Sequence, residues 1–249
     1  MTRLFHLPIA LISGLAFLSL PALAENATLA VATNFAPTAE RLAAEFSKAT
    51  GHDITVTGGA TGKLYAQIGA GAPFDAFLSA DQKTAERLVT DGLAVAESRF
   101  TYATGQLALW SADPARDLSD PEVALRAATH VAIANPDLAP YGKAAMEAIE
   151  TLGLTADLQS KIVTGENIGQ AQTMVASGAA DLGFVAASAL VGKEEGAAWP
   201  VPADSHAPLH QDAVLLTRGA ENAAAKEFLA YLAGPEAQKI IADAGYGVE

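Results

Sequence analysis

From residue 25 onward the chain alternates short apolar runs with longer stretches of helical periodicity, and it does so in two rounds. Such alternation predicts a mostly parallel sheet with helices on both faces, because parallel strands must be covered on each side. In the first round "TLAVAT" (28–33) precedes the amphipathic "APTAERLAAEFSKATG" (36–51), "DITVTGG" (53–59) precedes "TGKLYAQIGAG" (61–71), and "FDAFLSA" (74–80) precedes "DQKTAERLVTDG" (81–92). The texture changes near Tyr102 to a β segment, "GQLALWSA". The second round sets a helix at 121–127, strand "HVAIAN" (130–135), helix 140–153, strand 160–165, helix 168–179 and strand 181–188. A polar, proline-rich loop (192–211) returns the chain to the strand "DAVLLTRG" and two terminal helices. The expectation is an α/β protein of two lobes joined by two crossings near 102 and 212, with 25–102 plus 213–249 in lobe 1 and 103–212 in lobe 2. Ligands of such folds sit in crevices at the carboxyl ends of strands.

The first 24 residues read differently: Arg3, the apolar "LPIALISGLAFLSLP" and the small-residue end "ALA" have the layout of a secretory signal cleaved near Ala24. Pro8, Ser13, Gly14, Ser19 and Pro21 interrupt a segment already short for the ~20 apolar residues of a membrane span. With no cysteine, a disulfide framework and thiolate metal sites are excluded, which suits a bacterial periplasm. Arg3 is the only charged residue in the signal, so the mature chain carries 14 basic and 28 acidic residues, formally −14. That balance disfavours nucleic acid, whose phosphates select basic faces. It leaves a small anion open, since a few local N–H groups bind one inside an acidic chain.

The stretch "GGATGKLYAQI" (58–68) has the look of a phosphate-cradling loop, but the nucleotide motif needs glycine at 57 and a hydroxyl at 64, where Thr57 and Leu64 stand. What remains is a strand running into a helix whose free N–H groups favour an anion. Four such junctions recur: Thr33 and Asn34, Thr61 and Gly62, Tyr141, and Ile168. Their chemistry is that of uncharged donors, namely backbone N–H groups, three hydroxyls and one amide. Taken singly, Thr and Asn before a helix are ordinary N-caps worth about 1 kcal/mol. Two rival functions rest on fewer residues. A hydrolase built on Ser79 and Asp81 lacks a nucleophile elbow or a marked base. A metal site at His206 and His210 would need a helix that Pro200, Pro202 and Pro208 oppose.

The run "GAPFDAFLSADQKTAERLVTDG" (71–92), with "GGATGKLYAQI" before it and "NPDLAPYGKAA" (135–145), "GENIGQAQTMVASGAADLGFV" (165–185) and "FLAYLAGPEAQKIIADAGYGV" after it, resembles the periplasmic molybdate-binding proteins of ABC importers. The likeness covers nearly the whole mature chain. It implies a two-lobed class II periplasmic solute-binding fold, two α/β lobes joined by two crossing strands, holding a tetrahedral oxyanion in the cleft. It implies a binding protein, not an enzyme, with no catalytic residue and no cofactor. The family's ligand positions fall on Thr33, Asn34, Thr61, Tyr141 and Ile168, with the metal of the ion reached only through its oxygens at Asn34, Thr61, Tyr141 and Ile168. Part of the family carries Ala-Ser in the first loop and a tyrosine near 186; this chain has Thr33-Asn34 and Ala186, like the branch whose tyrosine comes from the "APYG" loop. The implied partners are molybdate or tungstate and a membrane permease, with the binding protein monomeric. Sulfate or an organic anion is the alternative ligand. A donor-only site disfavours monohydrogen phosphate, whose proton wants an acceptor, although Asp137 and Glu166 lie near in sequence. Lys63 and Lys143, just inside two of the helices, are expected to be solvated.

Overall fold

The structure is a computed structural model and describes residues 24–193 and 195–248; the expected secretory signal lies outside the described residues. The first sheet takes β1 (Asn26–Ala32), β2 (Asp53–Gly59), β3 (Ala76–Leu78), β4 (Phe100–Gly105) and the late β10 (Leu209–Leu215), in the order β2-β1-β3-β10-β4. The second takes β5 (Leu107–Ser111), β6 (Val131–Ala134), β7 (Ile162–Gly165), β8 (Leu182–Ala186) and β9 (Ala197–Pro200), in the order β7-β6-β8-β5-β9. Both sheets follow one plan. A central strand runs parallel to its two neighbours, β1 to β2 and β3 and β6 to β7 and β8, and antiparallel strands complete the edge. The order 2-1-3 places a topological switch point beside β1 and beside β6, where ligand crevices form.

Helices α1 (Ala36–Thr50), α2 (Thr61–Gly69), α3 (Gln82–Thr90), α8 (Ala223–Leu232) and α9 (Pro235–Asp243) cover the first sheet. Helices α4 (Pro121–Ala127), α5 (Pro140–Thr151), α6 (Thr155–Leu158) and α7 (Ile168–Ala176) cover the second. Successive strand residues face opposite layers, as a period of two demands. Leu29, Val31 and Leu78 pack with Leu42, Phe46 and Phe228 on one face, while Ala30 and Phe77 meet Leu64 and Leu88 on the other. In the second sheet Leu109, Ile133 and Phe184 pack with Leu125 and Ile149, and Ala108, Trp110 and Val185 meet Ala171 and Val175. Burial on both faces explains why the strands read as unbroken apolar runs. Gly51 closes α1 in the left-handed region, φ 81°, where its N–H bonds to Ser47 O.

β4 continues to Gly105 and β10 begins at Leu209, because these two strands pair with each other from Leu209↔Gly105 onward and carry the first sheet into both crossings. Three elements were not expected from the sequence: β4, ahead of the "GQLALWSA" segment, the single-turn α6, and the edge strand β9, which lies inside the proline-rich loop. Among the described residues no helix is long and apolar enough to cross a membrane.

Candidate functional site

The switch points of the two sheets face each other across the crossings, so four strand-to-helix junctions meet. One pocket between them is lined by Thr33 and Asn34 after β1, Gly59, Ala60 and Thr61 after β2, Ala139, Pro140 and Tyr141 before and in α5, and Asn167 and Ile168 after β7, with Ala32 and Ala80. All five residues singled out in the sequence therefore line it. The free volume between them is small, ≈ 10 Å³, about the room of one water.

The ordinary reading of these residues as caps does not hold. The N-cap positions of α1, α2 and α5 are Phe35, Ala60 and Ala139, and none of the three makes a side-chain cap bond. The fourth helix at the pocket, α7, is capped by Asn167, whose Oδ1 accepts from Gln170 N at 3.0 Å, and α3, α4 and α8, which start elsewhere, carry Asp81, Asp120 and Asn222 as caps. Thr61 and Ile168 are the first residues of their helices and Tyr141 the second of its own, so their N–H groups have no intrahelical acceptor. Neither these N–H groups nor that of Asn34 is taken up by another acceptor among the described residues. The Thr33 N–H is bonded to Gly59 O at 3.0 Å, so Thr33 offers only its hydroxyl.

The hydroxyls are free to donate. Thr61 Oγ1 accepts from Ala80 N at 3.3 Å, which leaves its proton free. Thr33 Oγ1 and Tyr141 Oη are buried with no partner. Burial, with the neighbouring Tyr246 and against the opposing influence of the Asn34 amide, holds the Tyr141 phenol well above its usual pKa of 10, so it stays a proton donor. Among the described residues no charged side chain lines the pocket. Asp137 and Lys143 instead line a neighbouring groove of ≈ 370 Å³, together with Asp81 and Glu147. Glu166 is exposed and pairs with Lys63 at 3.1 Å across the cleft, and Lys143 pairs with Glu147 at 3.6 Å.

Behind the pocket lies a polar network that sequence reasoning missed. Asn34 Nδ2 donates to Gln211 Oε1 at 2.8 Å, Tyr102 Oη shares its one proton between Gln211 Oε1 and Ser79 O, each at 3.2 Å, and Tyr246 Oη donates to Asn34 O at 2.7 Å. Ser188 of the second lobe donates to Tyr246 Oη at 2.9 Å, and Gly62 N donates to Leu138 O at 2.9 Å. Both bonds tie the lobes together. Gln211 lay inside a stretch read as loop, and no local pattern marks it; its burial follows from its pairing with β4.

The residues of the rival readings are otherwise occupied. Asp81 Oδ1 caps α3 by accepting from Thr84 N at 2.6 Å, and Ser79 Oγ accepts from Asp81 N at 3.2 Å. His210 stands on β10 beside Thr104 Oγ1 at 3.0 Å, and His206 Nδ1 lies 2.8 Å from Ala207 O. Among the described residues no group of three or more His, Asp or Glu could hold a metal ion.

A family model for bacterial extracellular solute-binding proteins matches residues 27–247. The molybdate-binding protein ModA of Rhodobacter capsulatus is 49% identical to this chain over 97% of it and 94% of the relative. The chain belongs to the ModA family. Among solved structures, the periplasmic molybdate-binding protein of Azotobacter vinelandii shares the fold with a TM-score of 0.86 at 43% identity, covering 90% of this chain and 99% of that one. ModA membership makes the chain a binding protein and not an enzyme, in keeping with a site of donors and no paired nucleophile and base. The sulfate-binding protein SubI of Mycobacterium tuberculosis H37Rv has the same fold at 14% identity, with a TM-score of 0.72 over 89% of this chain and 86% of its own. The architecture alone thus does not choose the anion; the pocket must.

Proposed function

We propose that this ModA-family protein captures molybdate, and tungstate with it, in the interlobe pocket and delivers it to the permease of an ABC importer. The observation that carries the reading is the donor set: free N–H groups at Asn34, Thr61, Tyr141 and Ile168 and hydroxyls at Thr33, Thr61 and Tyr141, around a pocket lined by no acidic side chain. A fully deprotonated dianion presents only acceptors, so such a set satisfies its oxygens without a counter-charge. The N-terminal ends of α1, α2, α5 and α7 add favourable dipoles. Monohydrogen phosphate would leave its proton unpaired in a desolvated site at a cost of about 1–3 kcal/mol, roughly 5- to 150-fold in affinity. Sulfate has the same charge and no proton, so the donor chemistry does not separate it from molybdate, and discrimination falls to the fit of the pocket around the larger ion.

In this reading residues 25–105 with 209–249 form one lobe and 106–208 the other, and the mature protein works as a monomer in the periplasm after cleavage near Ala24. Closure buries the ion and presents a surface from both lobes to the permease. Titration calorimetry near neutral pH with molybdate, tungstate, sulfate and phosphate tests it. The first two should bind at least about tenfold more tightly than the others, a gap of about 1.4 kcal/mol. Absence of molybdate binding would overturn the reading.

A further inference from the structure

Gln211 is fully buried on β10, at the bulge between Gln211 and Asp212, in the strand that brings the chain back from the second lobe. Its Oε1 accepts from Asn34 and Tyr102, but its Nε2 has no partner. The buried Tyr141 Oη has none either. Both atoms press on the backbone of Gly105: a Cβ there would collide with Tyr141 Oη and stand 3.1 Å from Gln211 Nε2. An amide nitrogen can only donate, whereas a phenol oxygen can accept and donate at once. The two orphans are therefore complementary. Gln211 is not among the residues lining the pocket.

Resting on the oxyanion reading, we propose that Gln211 is the positioning residue of the site. As the lobes close over the ion, its Nε2–H donates to Tyr141 Oη, which turns the phenol proton toward the pocket and makes it the donor to the ion. Its Oε1 meanwhile fixes the Asn34 amide. Asn34 and Gln211 belong to the first sheet's lobe and Tyr141 to the second's, so this one side chain couples the ligand residues of both lobes when they close. Hydrogen-bond chains of this kind polarise one another, and the fixed phenol then meets the ion without reorganising.

The test is a double-mutant cycle read by molybdate titration, with ligand-free thermal unfolding to confirm that each variant folds. The parent protein is titrated first, and a parent that does not bind molybdate defeats the oxyanion reading before Gln211 is touched. Given binding, Gln211→Met should weaken it about tenfold in the parent and by only about threefold or less in a Tyr141→Phe background, where the contact to Asn34 is still lost but no phenol is left to orient. Gln211→Glu keeps the acceptor for Asn34 but replaces the donor with a carboxylate, and should weaken binding by about a hundredfold or more. Equal losses from Gln211→Met in both backgrounds would assign it a merely structural role and overturn the proposal. Should Gln211→Met fail to fold, the side-chain amide resonances of Gln211 in the parent decide: a large shift on saturation with molybdate supports the coupling, and no shift overturns it.

Discussion

Replacing Tyr141 by phenylalanine should raise stability and lower affinity together. The ring is 1% exposed and packs within the second-lobe core, so the substitution keeps the buried apolar surface and removes one oxygen. Without ligand that oxygen has no partner among the described residues, and a buried unsatisfied polar group costs about 1–3 kcal/mol. In a chain of this size each kcal/mol moves Tm by about 2–4 °C, so the ligand-free variant should melt at least about 2 °C higher. Binding moves the other way. A phenol donating to a dianion makes a charge-assisted bond worth about 1.5–3 kcal/mol, so Tyr141→Phe should bind molybdate about 10- to 150-fold more weakly. Scanning calorimetry without ligand and titration calorimetry with it measure both. A variant that melts lower and binds as tightly as the parent would refute the reasoning, since its hydroxyl would then be held by the protein and not offered to the ion.

Gly105→Ala puts a Cβ into Tyr141 Oη, and overpacking of this kind costs about 1–3 kcal/mol; molybdate affinity should fall about tenfold or more by titration. Asp212 is 1% exposed and accepts from Arg99 Nη1 at 2.6 Å and Thr101 Oγ1 at 2.7 Å. Asp212→Ala should therefore lower the free energy of urea unfolding by about 2–3 kcal/mol, less than for a fully buried pair because Arg99 is partly solvated. Burial raises Tyr246 from 10 to about 12 and Tyr141 well above 10. Unfolded tyrosine ionises first, so the protonated phenols' contribution is intact below pH 10 and is lost as pH climbs toward 12. A pH series of unfolding midpoints should show that alkaline fall, with molybdate affinity level until it begins.

The sequence made the helix starts legible because each junction is local: a strand's apolar run, a small-residue turn and the next amphipathic stretch are contiguous. Convergence was not local. Thr33 and Thr61 read as caps by type, and only the structure puts Phe35 and Ala60 in the capping positions and leaves the hydroxyls facing a common pocket. β9 escaped notice because an edge strand tolerates the proline that argues against a central one. Gln211, Tyr102 and Tyr246 escaped for a deeper reason: each is an unremarkable residue type whose role depends on partners more than 100 positions away, as in the bonds Tyr102–Gln211 and Tyr246–Asn34. Periodicity carries no information at that range. The acidic Asp137 and Glu166 show the converse, since nearness in sequence to Tyr141 and Ile168 does not bring them into the pocket.

The most direct measurement is an anomalous-difference map from crystals grown with molybdate. A single molybdenum peak should lie in the pocket among Thr33, Asn34, Thr61, Tyr141 and Ile168, with its oxygens about 2.7–3.2 Å from the four free N–H groups and the Tyr141 hydroxyl. A peak elsewhere, such as in the groove lined by Lys143 and Glu147, or a pocket that stays empty in crystals of a protein that binds molybdate, would contradict the assignment of the site.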